Sequence, residues 1–228
     1  MFQEVGLGAD AVDYLAAWEL QRTIHAEVTA GERPGTVLLL EHPPVFTAGK
    51  RTEPHERPAD PGGAAVIDVD RGGKITFHGP GQLVGYPLLY LDADGLDLHR
   101  YLRNLEEAII GLLAEFGIAG GRKSAYTGVW VGDEKVAAIG VKFNKARSRR
   151  GFVTSHGFAL NVKRGVEAEG FGGIVPCGIA EYGVTSLEKL TGEAWEVEEI
   201  GRRIVPHFRE VFGFADDAEV VRAASLRS

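Results

Sequence analysis

Cysteine is almost missing from this chain: there is one, Cys177, in 228 residues. A single thiol cannot close an intramolecular disulfide, so a disulfide-stapled fold is excluded and the residue serves either inert packing or thiol chemistry. Long apolar runs are lacking too. None approaches the roughly 20 residues that span a bilayer, so no membrane segment is expected. The start of the chain, Met1-Phe-Gln-Glu-Val-Gly6, has neither the basic head nor the apolar stretch of an export signal. With one cysteine, this points to a reducing cytoplasm. An excess of positive charge is also absent. The 25 Lys and Arg are outnumbered by 32 Asp and Glu, for a net charge of −7. That balance argues against a general nucleic-acid binder, whose affinity comes from neutralising phosphate.

What is present is an ordinary core-forming composition, 44% apolar and 25% charged. No repeat or composition break divides it, so one domain over residues 1–228 is expected. Residues 9–28 carry Val12, Leu15, Ala16, Leu20, Ile24 and Val28 at helical spacing, with Gly31 and Pro34 as the stop. Residues 36–40 read as a buried strand running into Glu41-His42-Pro43-Pro44, and residues 50–63 as a surface loop. Strands follow at 65–69, 74–77 and 83–91. Asp97 caps a helix that buries Tyr101, Leu102, Leu105, Ile109, Leu112, Leu113 and Phe116 and stops at Gly117. Residues 128–141 form a hairpin turning at 132–134, residues 152–162 a strand, and residues 197–212 a last helix. The fold class is therefore α/β, a mixed sheet flanked by helices.

Cys177 sits in Gly-Gly-Ile-Val-Pro-Cys-Gly, between a proline that stiffens the backbone and a glycine that frees it. The second unusual stretch is Arg71-Gly-Gly-Lys-Ile-Thr-Phe-His-Gly-Pro-Gly-Gln82. Its glycines, set among Arg71, Thr76, His78 and Gln82, suit a backbone shaped around a ligand, although two glycine turns beside a strand would look the same. It matches neither a Walker loop nor a dinucleotide fingerprint. Ala137, Ala138 and Gly140 are small residues that suit either a slot for an alkyl chain or a tightly packed strand. His156 and Asn161 stand near another glycine, and no His/Cys/Asp spacing has the form of a metal site. A nucleophilic cysteine needs its thiolate, yet a free thiol titrates near 8.5. Lowering that value by about 1.5 represents roughly 2 kcal/mol, which a close cation supplies. Lys135, Lys142, Arg71, His78 and His156 are the candidates, and spacing alone does not choose among them.

Taken together, these motifs resemble octanoyltransferase, the lipoate-protein ligase B family. The resemblance runs in order through Glu41-His-Pro-Pro-Val-Phe-Thr47, Arg71-Gly-Gly…Thr76…His78-Gly-Pro-Gly-Gln82, Gly128-Val-Trp-Val131, Lys135-Val-Ala-Ala-Ile-Gly140, His156-Gly-Phe-Ala-Leu-Asn-Val162, Pro176-Cys-Gly178 and Val184-Thr-Ser-Leu187. It implies a biotin/lipoyl-ligase-like catalytic domain. The implied reaction carries an octanoyl group from acyl carrier protein to a specific lysine of a lipoyl domain, either of a 2-oxoacid dehydrogenase E2 subunit or of the glycine-cleavage H protein. Carried over by motif, Cys177 forms the acyl-thioester and Lys135 lowers its pKa, whereas Lys142 falls after the Ala-Ile-Gly block. Substrate-binding positions map to Arg71, Gly72, Gly73, Lys74, Ile75, Thr76, Phe77 and His78, to Ala138, Ile139 and Gly140, and to Gly157, Phe158 and Ala159. No cofactor and no metal are implied.

Two positions depart from the family pattern. Phe77 replaces a hydroxylated aromatic, and Lys163-Arg-Gly-Val-Glu-Ala-Glu-Gly170 replaces a usually acidic start. Three rival readings are an ATP-dependent lipoate or biotin ligase on the same fold, a cysteine thioesterase using His78 or His156, and a non-catalytic module that binds acyl carriers. Finally, Lys142, Lys145, Arg147, Arg149 and Arg150 place five cations within nine residues without an acid among them. This is either a solvated hairpin loop or a patch that steers an acidic carrier protein.

Overall fold

The computed structural model describes residues 1–94, 96–147, 149–166, 182–214 and 220–222. Its centre is β2 (Thr36–Leu40), whose five residues are all buried. Val37 and Leu39 enter one core and Leu38 and Leu40 another. Side chains alternate along a strand, so an unbroken apolar run means that both sheet faces are covered. Helix α1 (Tyr14–Ala30) covers one face through Ala17, Ile24 and Val28. Helices α2 (Leu98–Glu115) and α4 (Val197–Phe212) cover the other, where Leu105, Ile109 and Leu112 meet Ile200, Ile204 and Phe208.

The main sheet holds ten strands among the described residues. Its path starts at β13 (Val220–Arg222) and passes through β1 (Phe2–Gly6), β2, β6 (Gln82–Leu88) and β11 (Gly151–Asn161). From there it continues to β10 (Glu134–Lys145), β9 (Tyr126–Val131) and β8 (Gly121–Lys123). Two short strands lie off this path: β7 (Tyr90–Asp92) pairs with β11, and β12 (Gly183–Val184) pairs with β10. The sheet is mixed, as the sequence suggests, because β1–β2, β1–β13 and β10–β12 are parallel and the other neighbours antiparallel. A second sheet, not foreseen from the sequence, orders β4 (Ala65–Asp68), β3 (Val45–Ala48) and β5 (Thr76–His78) over Phe46, Ile75 and Phe77. Short α3 (Leu187–Thr191) precedes α4. Among the described residues no helix is long and apolar enough to cross a membrane.

Local signals set most boundaries. Asp13 caps α1 by accepting from the Leu15 and Ala16 amides, Asp97 caps α2 at Arg100, and Gly31 ends α1 in the left-handed region. The first helix nonetheless differs from expectation. It begins at Tyr14, Val12 lies outside it, and Leu15 is 53% exposed. Its buried face is Tyr14, Ala17, Gln21, Ile24 and Val28. A polar residue occupies that face because Gln21 Oε1 accepts the backbone N–H of His156 at 2.9 Å. Buried hydrogen bonding overrides the apolar count.

Candidate functional site

The strand register builds the site. Across β10 and β11, Ala138 faces Ala159 and Gly140 faces Gly157, with Ile139 opposite Phe158 between them. Opposed residues point to the same face, so one face carries only small groups over two strands and the other the bulk. Phe158 spends its ring in the core, 5.6 Å from Phe208. At Gly157 a Cβ would stand 2.0 Å from the Gly85 carbonyl oxygen, so that crossing admits no larger residue. Beside these strands lies a cavity of about 430 Å³, a size that holds a small ligand.

Most of the positions suggested by sequence meet there. Arg71, Gly72, Gly73, Lys74, Thr76 and His78 line the cavity together with Lys135, Ala138, Ile139, Gly140, Gly157, Phe158 and Ala159. Ile75 and Phe77 do not; they pack in the small sheet, with Phe77 5.2 Å from Phe46. That apolar setting suits a phenylalanine at this position. Cys177 lies outside the described residues. Tyr14, Tyr86, Leu102, Tyr126 and Phe143 also line the cavity. Helical periodicity marked Leu102 as core and gave no signal for the others, because each reaches the site from a separate element.

The glycine turn is held from within. Arg71 donates to the carbonyls of Gly72, Lys74 and Thr47 at 3.0, 2.9 and 2.7 Å and to Thr47 Oγ1 at 2.9 Å. Its guanidinium therefore shapes the wall, as suits a planar fork with five donors. Lys74 ties the same turn to the buried Glu56 carboxylate. Two glycine amides are already committed, Gly72 to Val141 O and Gly81 to Glu41 Oε1.

A directed hydrogen-bond chain runs behind the cavity. Thr47 Oγ1 stands 3.4 Å from His78 Nε2, and His78 Nδ1 stands 2.8 Å from Gln82 Oε1. Gln82 Nε2 donates to Asn161 Oδ1 at 2.9 Å, and Asn161 Nδ2 to Thr185 O at 3.0 Å. Since Thr47 Oγ1 accepts from Arg71, its proton points to His78 Nε2, which places the His78 proton on Nδ1. Burial, then neighbouring His42, push His78 down to about 3, and burial pushes His42 down to about 4. Both rings are neutral in the folded protein.

An unfolded histidine binds its proton below about 6.5, whereas His42 and His78 take one up only near 4 and 3, so the unfolded state binds more protons across that window. Their stabilisation is complete above about pH 6.5 and is lost as pH falls. Each should contribute a slope of about 1.4 kcal/mol per pH unit between pH 6.5 and 4. Urea midpoints taken from pH 7 to 4.5 test this, with His42→Gln expected to flatten the fall. A wild-type curve without slope there would contradict it.

Two of the β10 lysines, Lys135 and Lys142, sit in opposite electrostatic settings. Lys142 Nζ pairs with Asp70 Oδ2 at 2.5 Å, and His156 Nε2 holds Asp70 Oδ1 at 2.7 Å. The His156 hydrogen bond, followed by that of Lys142, keeps Asp70 well below the carboxylate range. His156 is the sole non-glycine among the described residues with positive φ, 58°, a strained geometry in mid-strand held by Asp70 and Gln21. Burial pushes its ring down despite Asp70. Lys135, in contrast, is 6% exposed and has no carboxylate partner among the described residues. Its ammonium lies 4.7 Å from the Trp130 ring centroid. Among the described residues no cluster of three His, Cys, Asp or Glu side chains could hold a metal ion.

Comparison with known proteins follows the same lines. Residues 13–209 match the family described as lipoyl protein ligase A/B catalytic domain. An octanoyltransferase of Clavibacter sepedonicus is 49% identical over 89% of this chain and 86% of its own length. One of Rubrobacter xylanophilus is 50% identical over 88% and 89%. Among solved structures, one of a bi-partite lipoate protein ligase and its E2 lipoyl domain from Thermoplasma acidophilum aligns with a TM-score of 0.66 at 12% identity, covering 96% of this chain and 86% of that one. A lipoate-protein ligase A bound with ATP aligns at 0.64 with 13% identity, covering 89% and 84%. These two likenesses establish the fold alone.

Proposed function

Because the chain belongs to the lipoyl protein ligase A/B catalytic-domain family and is an acyltransferase of its octanoyltransferase branch, we propose that it moves an octanoyl group from octanoyl-acyl carrier protein to a lysine of a lipoyl domain, through a thioester on Cys177. The acceptors are E2 subunits of 2-oxoacid dehydrogenases and the glycine-cleavage H protein. The observation that carries the reading is Lys135, a buried ammonium with no carboxylate partner among the described residues, at the wall of a cavity lined by Ala138, Gly140, Gly157 and Ala159. Cys177 is five residues before Tyr182, and five residues reach at most about 18 Å. Tyr182 stands 5.4 Å from Trp130, the ring beside Lys135. The chain then pairs β12 with β10 at Glu134 and Lys135.

The chemistry divides into two transfers. Cys177 Sγ, its proton given up, attacks the donor carbonyl, a new C–S bond forms, and the donor's C–S bond breaks as the leaving sulfur takes up that proton. The acceptor amine then attacks the acyl-cysteine, the amide forms, and the amine proton passes to the released Cys177 sulfur. Thioester exchange is near balance and amide formation runs downhill, so no ATP enters. A hydrolase built on His78 is disfavoured, since both of its ring nitrogens are engaged and it stays neutral. The test is intact mass spectrometry after incubation with octanoyl-carrier protein and no acceptor. One octanoyl group on Cys177 is expected. An unmodified thiol in an active preparation would overturn the mechanism.

The basic loop between β10 and β11 supplies the docking surface in this reading. Lys145, Arg147, Arg149 and Arg150 are exposed, whereas Lys142 is spent on Asp70. Changing Arg147, Arg149 and Arg150 to Glu should raise KM for octanoyl-carrier protein about tenfold at low salt and flatten its salt dependence. Turnover of a small octanoyl thioester should hardly change. Equal losses with both donors would show the loop to be structural.

A further inference from the structure

The fold takes unusual care over the seat of Lys135. Trp130 is its direct cross-strand partner, and the register slips between Lys135 and Ala137, an irregularity of the kind that re-aims a side chain. Gly128 lies beneath the lysine stem with φ of 134°, and a Cβ there would stand 3.4 Å from Lys135 Cε and 2.6 Å from Ala137 O. Glu106, the buried carboxylate nearby that accepts the Gly128 amide, is paired with Arg103 at 2.6 Å and Arg122 at 3.0 Å. Across the same aromatic cluster, Lys123 pairs with Asp133 at 2.7 Å and lies 4.1 Å from the Tyr182 ring. Among the described residues each of these other charges has a counter-ion, while Lys135 has an indole face.

We propose that Trp130 is the positioning residue for Lys135, holding its ammonium at the cavity wall by a cation–π contact, with no carboxylate against the charge among the described residues. The physics favours an aromatic over a carboxylate for this task. A contact ion pair would cancel the field that a thiolate must feel, as Asp70 does for Lys142. An indole carries no net charge, yet its face attracts a partly desolvated cation. That attraction offsets part of the cost of burial and fixes one geometry. Trp130 serves a second contact as well, because Tyr182 meets it edge-on at 5.4 Å and 73°. The same indole thus seats the cation and the first described residue after the Cys177 stretch. The inference rests on the reading of Lys135 as the group that lowers the thiol pKa.

Cys177 is the only cysteine, so its alkylation rate is read without background. The rate of iodoacetamide alkylation against pH is to be measured in wild type, Trp130→Phe, Trp130→Leu, Lys135→Met and Trp130→Leu/Lys135→Met. At pH 7, Trp130→Leu should react about fivefold more slowly, with its midpoint moved toward that of Lys135→Met. Trp130→Phe, which keeps a weaker ring face, should fall between Trp130→Leu and wild type. Adding Trp130→Leu to Lys135→Met should change nothing further, since the indole acts through the ammonium. A Lys135→Met midpoint that moves while both Trp130 variants stay at the wild-type value overturns the positioning role alone. An unmoved Lys135→Met midpoint overturns the lysine reading and this inference with it. If thermal melts show Trp130→Leu to be unfolded, the ring-preserving Trp130→Phe midpoint decides.

Discussion

Cys177→Ala is expected to lower octanoyl transfer by about 10³-fold or more, with the fold intact. Removing Sγ removes the intermediate, and the acceptor amine is left to attack the donor thioester directly. That route loses both the split of one transfer into two easier steps and the retention of the acyl group after the carrier has gone. The measurement is transfer to a lipoyl domain followed by gel shift or mass, alongside a thermal melt of the variant. Undiminished transfer, dependent on ATP, would place the chain with the ligases whose fold it shares. Free octanoate formed by the wild type without an acceptor would point to a thioesterase.

The second large effect concerns Lys135. Lys135→Met keeps the length of the stem and removes the charge, so the thiol should return toward its ordinary range near 8.5. Its alkylation midpoint should rise by about 1.5 pH units, and kcat/KM at pH 7 should fall about 15-fold, recovering as pH is raised. Lys135→Arg, which keeps the cation, should retain much of the wild-type midpoint. Lys142→Met should leave it in place, because that ammonium is already matched by Asp70. A midpoint that follows Lys142 and ignores Lys135 would reverse the assignment.

Much of the frame was legible in the chain. Helix α4 spans the residues that periodicity gives, because its apolar positions are local and regular and Gly213 ends it with φ of 67°. In helix α1 periodicity gives Ile24 and Val28 on the buried face, but not Gln21, which is buried for a hydrogen bond to a strand residue 135 positions away. The basic pair Lys163 and Arg164 also has a tertiary account. Lys163 pairs with Glu196 at 2.7 Å, and the Arg164 amide donates to Glu188 at 2.9 Å, so both are met by acids near α3 and α4.

The sequence by itself determined the fold class, the family and the lone thiol, because composition, short-range spacing and motif order are properties of the chain alone. It also assembled the glycine turn and the two small-residue strands as candidates. Their arrangement required the register, which sets Gly140 against Gly157 and Ala138 against Ala159. What distinguishes the two lysines seven positions apart on one strand is visible only in three dimensions. Asp70, from a distant turn, neutralises Lys142, while the β9 register puts an indole against Lys135. Electrostatic attraction depends on separation in space and on burial, and neither is encoded in spacing along the chain.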